Sequence, residues 1–196
     1  MASRGPDGVA IREITERADV GFGSFYNHFE SKDAIYDALV AEVFEGFGAG
    51  LDGLRDHVTD PAEVLAASVR YTLRRGQGEP VWGRLLVRIG FSARVLQGGG
   101  GYRLLRDLEI GVGAGRFSAP DRLMTFVAVG SIVLGALNAA LQHGEAAAAG
   151  MKPSGVPERA AAIMLRFLGV PVAEAEAIAR RPLPPIEAGP SDLAQS

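Results

Sequence analysis

VGFGSFYNHFESK (residues 20–32) follows directly on VAIREITERAD (residues 9–19), and the reading of this pair decides the fold. Ile11, Ile14 and Ala18 recur at helical spacing, so the first string predicts a short helix with one buried face. Val20, Phe25 and Phe29 form the apolar side of a second short helix, reached through a tight turn. Ser31 then caps a longer helix, with Asp33 in its first turn and Ile35, Leu39, Val43 and Phe47 along one side. Two short helices, a tight turn between them and a third helix are the layout of a helix-turn-helix unit, whose second helix enters a DNA major groove.

Working outward from this stretch, turn and cap signals cut the rest of the chain into helices, and nowhere does a strand alternation persist. Asp60-Pro61-Ala62-Glu63 opens a helix, with Asp as cap, Pro at the first position and Glu at the third, running to about Arg75. Pro80 starts another that is expected to end at the glycines Gly98–Gly101, read as a loop. A helix from about Tyr102 to Ile110 should stop in the glycine-rich segment 111–115. Asp121 caps a long apolar helix through Gln142, and a helix from Pro157 to Leu168 is closed by Gly169 and Pro171. Ala173–Arg180 adds a short turn, and the tail from Pro182 is expected to be extended or disordered. The expected fold is all-α. A head occupies residues 1–40, a larger helical domain residues 41–181, and a Pro-rich tail residues 182–196.

With 47% hydrophobic and 22% charged residues, the 196-residue chain has the composition of an ordinary globular protein. The absence of cysteine excludes disulfides and Cys-ligated zinc and fits a reducing cytoplasm. Leu123–Gln142 is 20 residues without a charge, long enough to span a bilayer. Its Thr, Ser, Asn, Gln and Gly content fits better a helix buried on one side against its own core and on the other against a second subunit. Residues 1–40 carry four basic and seven acidic side chains, a net charge of −3 that disfavours phosphate binding by this segment alone.

The string IREITERADVGFGSFYNHFESKDAIYDAL (residues 11–39) resembles the DNA-binding signature of the tetracycline-repressor (TetR) family of bacterial transcriptional regulators. Ile11, Ile14, Ala18, Val20, Gly23, Phe25-Tyr26, His28-Phe29 and Ser31-Lys32 carry the match. The C-terminal LRFLGVPVAEAEAIARRPLPP is also similar to the end of many members. The resemblance implies a recognition helix over Gly21–His28. Tyr26 and His28 would hold backbone phosphates, and Lys32 would hold another with help from the amides that open its helix. Gly21, Phe22, Gly23, Ser24 and Asn27 would face phosphate or base edges. The chain departs from the pattern at Gly21, where a capping Ser or Thr is usual, at Phe22, which offers thymine methyls only an apolar surface, and at Ala10, where Thr is common. The family also places a further helix before the motif. Only Met1–Gly8 precede it here, which we read as a start assigned too late.

In the larger domain Tyr71, Trp82, Phe91 and Phe126 are the candidates for an apolar ligand pocket between helices. Arg84, Arg88 and Arg94 read first as a solvated stripe and second as an anchor for an anionic ligand. His57 and His143 stand apart from any metal-ligand spacing, and Gly98–Gly101 lacks the residues of a phosphate loop, so neither a metal nor a cofactor is expected. No nucleophile–base pair is legible, so no enzyme activity is expected. Small residues Gly130, Gly135, Ala136, Ala139 and Ala140, with Ala160, Ile163, Met164 and Phe167, suggest a homodimer built through residues 120–142 and 157–168. Gly46, Gly48, Gly50 and Gly53 soften the helix that joins head to body, a hinge by which a ligand would change head spacing. The resemblance thus implies a cytoplasmic, homodimeric repressor released from a palindromic double-stranded DNA operator by a small-molecule effector. The alternative is a helical sensor whose head no longer binds DNA.

Overall fold

A computed structural model describes residues 31–91, 99–142 and 154–186, and within them every regular element is helical. In chain order these are α1 (Lys32–Asp52), a 3-10 turn (Gly53–Asp56), α2 (Pro61–Gly78), α3 (Pro80–Ile89), α4 (Gly99–Gly113), α5 (Arg122–Leu141), α6 (Val156–Phe167) and α7 (Val172–Arg180). The expected caps form. Ser31 Oγ accepts from the Ala34 amide, Asp60 from Ala62 and Asp121 from Met124, which satisfies donors that a helix start leaves free. Gly169, at φ 89°, ends the α6 segment in the left-handed region open to glycine.

The centre of the domain is α2, which packs against α3, α4, α5, α6 and α7. Ala62, Leu65, Ala66, Val69 and Leu73 repeat every three or four residues and are buried with Leu137 of α5, Met164 and Leu165 of α6 and Ile178 of α7. The other side of α2 is buried as well. Val64, Ala67 and Tyr71 pack with Leu54 of the 3-10 turn and with Leu183 and Ile186 of the extended segment after α7. Arg70, 5% exposed, donates from Nη1 to the Arg181 carbonyl at 2.7 Å and lies 3.5 Å from Glu158.

Several expected boundaries move. Helix α3 ends at Ile89, short of the glycines Gly98–Gly101 where the sequence pattern stops it. Helix α2 continues past Arg75 to Gly78 because tertiary packing outweighs the low helix propensity of glycine. A Cβ on Gly83 would stand 2.6 Å from the Gly76 carbonyl oxygen, so α2 and α3 cross where both backbones are bare. Helix α4 begins inside the glycine run, at Gly99, and extends to Gly113, where the sequence reading placed a loop and an earlier stop. Gly101 in its first turn is buried. Ala173–Arg180 is part of a nine-residue helix rather than a turn, held by buried Ala175, Ile178 and Ala179.

Candidate functional site

A cavity of about 170 Å³ opens between α1, α2, α3, α4 and α5. Its apolar wall is aromatic because three helices turn rings toward it: Phe44 and Phe47 from α1, Trp82 from α3, and Phe126 from α5, with Phe91 just beyond α3. The Trp82 ring centroid lies 5.2 Å from those of both Phe44 and Phe47, and the Arg75 guanidinium sits 5.0 Å over the Phe47 ring. These contacts tie α1 to α2 and α3 at the cavity edge. Trp82 is 5% exposed, and it is the single tryptophan of the chain.

One part of the wall is polar. Asp52 of α1 and Arg103, Arg106 and Asp107 of α4 line it, with Ser68 and Thr72 on α2. Arg103 donates from Nε to Asp52 Oδ2 at 2.9 Å and from its two terminal nitrogens to the Glu45 carboxylate at 3.1 and 2.5 Å. Arg106 Nη2 donates to Asp52 Oδ1 at 2.5 Å and to Asp107 Oδ1 at 3.1 Å. Arg55 also donates to Asp107. Three guanidinium groups thus meet three carboxylates, and the cluster is balanced in charge. Ser68 and Thr72 donate their hydroxyl protons to the Val64 and Ser68 carbonyls, which leaves their oxygens to accept.

Two of these carboxylates share Arg106 yet titrate in opposite directions. Burial pushes Asp107 up, and the nearby Arg55 and Arg106 do not fully offset it. Burial also acts against the charged form of Asp52, but hydrogen bonds from Arg103 and Arg106 outweigh it and hold the carboxyl below its ordinary value. Glu45 is lowered by its bidentate bond to Arg103, whose own guanidinium is pushed up by the same bond. The arrangement offers an aromatic slot with hydrogen-bond acceptors and fixed cations along part of its wall. It suits a small, mainly apolar ligand with a polar edge. In volume the cavity is close to the roughly 150 Å³ of an apolar cavity that takes up benzene.

Gly48 completes this corner. A Cβ there would collide with the Arg103 guanidinium, so the bare backbone of Gly48 leaves the space in which that side chain lies against α1. Of the four expected pocket residues, Trp82, Phe91 and Phe126 line the cavity. Tyr71 lies on the far side of α2, where its hydroxyl donates to the Pro184 carbonyl. Arg84 and Arg88 are exposed on α3, and Arg94 lies outside the described residues. Sequence reasoning missed Asp52, Arg103, Arg106 and Asp107. The only local signal was the spacing of Arg103, Arg106 and Asp107 on one face of a helix. Among the described residues no group of His, Asp or Glu side chains is placed to hold a metal ion.

On the DNA side, Gly21, Phe22, Gly23, Ser24, Tyr26, Asn27 and His28 lie outside the described residues. Lys32 is the first residue of α1, and its side chain is likewise outside the description. Helix α1 therefore runs from the segment carrying these positions to the cavity wall.

Two family models match the chain. "Bacterial regulatory proteins, tetR family" covers residues 1–39, and "Tetracyclin repressor-like, C-terminal domain" covers residues 60–181. The HTH-type transcriptional repressor DhaR of Mycobacterium sp. (strain GP1) is 51% identical over 41 residues, a stretch that spans 21% of this chain and 21% of that protein. The crystal structure of RolR in complex with the ligand resorcinol is similar over 95% of this chain and 90% of its own, with 35% identity and a TM-score of 0.73. RolR without ligand gives 36% identity and a TM-score of 0.73, over 95% of this chain and 94% of that one.

Proposed function

The chain belongs to the tetR family of bacterial regulatory proteins, and on that premise we propose that it is a repressor released from its operator by a small hydroxylated aromatic compound. One observation carries the choice of effector class. The cavity pairs an aromatic slot with the Asp52–Arg103–Arg106–Asp107 cluster, in a chain 35% identical to a protein crystallised with resorcinol. A ring hydroxyl donates to a carboxylate of the cluster and accepts from a guanidinium, while the ring lies among Phe44, Trp82 and Phe126.

Release follows from where the cavity walls sit. Phe44, Phe47, Leu51 and Asp52 belong to α1, whose first residue is Lys32. Lys32 stands twelve residues from Phe44, about 18 Å along the axis at 1.5 Å per residue. A small tilt at the cavity becomes a larger displacement at the head. Two heads must be about 34–36 Å apart to enter successive grooves, so an effector that favours a different tilt shifts the population away from the DNA-bound form.

The dimer that this requires is built through α5 and α6. Only 22% of the most apolar window of α5 is buried within the subunit. Leu123, Met124, Ile163 and Phe167 are each at least half exposed on these two helices, with Gly135 and Ala139 exposed beside them. A face this apolar is suited to a second copy of the same helices. Ala140, Ala160 and Met164, read from sequence as interface residues, are buried in the subunit's own core. In the head, Tyr26, His28 and Lys32 anchor phosphates, and Gly21–Ser24 with Asn27 approach the bases.

Trp82 gives the direct test. Resorcinol titrated into the full chain should quench its fluorescence saturably, and Asp107→Asn should weaken binding at least tenfold. No quenching at millimolar resorcinol would remove this effector class. Independently, duplex binding should weaken steeply with salt, and Lys32→Ala should reduce the slope by about 1. Salt-independent binding, or none, would favour a sensor without a DNA-binding head.

A further inference from the structure

Resting on that reading, we propose that the segment Arg181-Pro182-Leu183-Pro184-Pro185-Ile186 is a strap whose side chains position the pivot of α1, so that changes in the cavity reach the head. The segment lies beyond the last residue matched by the family model for the C-terminal domain, apart from Arg181 itself. It is extended and held at both ends. Arg70 Nη1 donates to the Arg181 carbonyl at 2.7 Å, Tyr71 Oη donates to the Pro184 carbonyl, and Arg181 pairs with Glu63. All three partners are on α2, the central helix.

The prolines fit this task. Proline has no amide to leave unpaired and is already extended, so the strap presents carbonyls to α2 with little ordering cost. Leu183 and Ile186 then pack on the buried cluster of Leu54, Val64 and Ala67. Leu54 is fully buried and lies in the 3-10 turn immediately after α1. Leu51, one turn earlier, belongs to the same apolar cluster and also lines the cavity.

The end of α1 is therefore gripped from two directions. On one side the cavity cluster binds Asp52 through Arg103 and Arg106. On the other, the strap packs on the cluster of Leu54 with Val64 and Ala67 of α2, against which Leu51 also lies. A lever transmits only when its pivot stays put. With the pivot fixed, a change in the cavity tilts α1. With it loose, the same change is absorbed by sliding of the 3-10 turn.

Hydrogen–deuterium exchange on the full chain tests the strap without any effector. In Leu183→Ala/Ile186→Ala, amides of residues 51–58 should exchange at least tenfold faster, while those of α5 and α6 keep their protection. Exchange within twofold of the parent protein would overturn the proposal. Should the double variant fail to fold, Tyr71→Phe removes a single hydroxyl and should still speed exchange of residues 51–58 about threefold; no change there overturns it equally. Resorcinol separates positioning from simple support. The folded variant should bind it within threefold of the parent by Trp82 fluorescence, yet lose the resorcinol-induced change in exchange of residues 32–47. If that change persists undiminished, the strap is only scaffold. If resorcinol fails to bind the parent protein, the effector assignment falls, and the effector-free exchange still decides whether the strap fixes residues 51–58.

Discussion

Helices α1 and α5, of 21 and 20 residues, are held in the molecule in opposite ways. Helix α5 is fixed by apolar interlock: Val129 and Leu137 are fully buried, and Leu137 fills the space left by Gly76 on α2. The cavity half of α1 is held instead by two phenyl rings and by guanidinium bonds from Arg103 and Arg106 to Glu45 and Asp52. The difference is one of exchangeability. Nothing a small ligand carries can replace a buried leucine, whereas a ligand hydroxyl can replace a hydrogen bond to a carboxylate at little net cost. The body is built from contacts a ligand cannot exchange, and the head-bearing helix from contacts it can.

The strongest way to break this contrast is at α5. Leu137→Ala should cost about 3–5 kcal/mol, because the pocket around it is closed on every side and leaves a cavity behind. A urea unfolding midpoint measures it, and a loss below 1 kcal/mol would mean that α5 is no more firmly seated than α1. The corresponding change at α1 is Arg103→Ala. Its partners are half-exposed, so the stability loss should be only about 1–2 kcal/mol. Its effect on function should be larger: resorcinol affinity should fall at least tenfold by Trp82 fluorescence. Equal affinity in the variant would take the cluster out of effector binding.

A pH series sharpens the contrast within the cluster itself. Asp107 titrates above its ordinary 3.8 in the folded chain, so the folded state holds the proton more tightly than the unfolded one. Stability from this group is present below pH 3.8 and declines as pH rises through the folded value. Asp52 is lowered from 3.8, so its contribution is present above that pH and is lost as pH falls. Unfolding measured from pH 3 to 7 should therefore show Asp107→Asn gaining on the parent as pH rises, and Asp52→Asn losing to it. Parallel profiles would show that the two carboxylates are not distinguished by their surroundings.

Legibility in the sequence followed the same division. Helix starts were readable because Ser31, Asp60 and Asp121 act on amides two or three residues away. The aromatic half of the cavity was partly readable, since Trp82, Phe91 and Phe126 are large apolar side chains in a helical domain and had to be buried somewhere. The polar half was not. Asp52 meets Arg103 across more than fifty residues of chain, and nothing local to either residue marks the pairing. Tyr71 was misread for a related reason. Helix α2 is buried on two faces, and periodicity alone cannot say which face looks into the cavity and which receives the strap.

The glycines of α1 give the finest comparison. Gly46, Gly48 and Gly50, with Gly53 just past its end, suggest a uniformly soft hinge, but the structure separates two. Gly48 makes room for Arg103, so Gly48→Ala would push the guanidinium from Asp52 and Glu45 and would mimic damage to the cluster. Gly53 has φ −62° and ψ −15°, ordinary helical values, and open space where a Cβ would go. Alanine fits there without strain, and by restricting the unfolded chain it should raise stability by about 0.5 kcal/mol. If softness at the end of α1 matters for release, Gly53→Ala will leave resorcinol binding at Trp82 unchanged but reduce the resorcinol-induced change in exchange of residues 32–47. If that change is preserved in full, α1 moves as a rigid lever, and the glycine that counts is Gly48, for the space it leaves to Arg103.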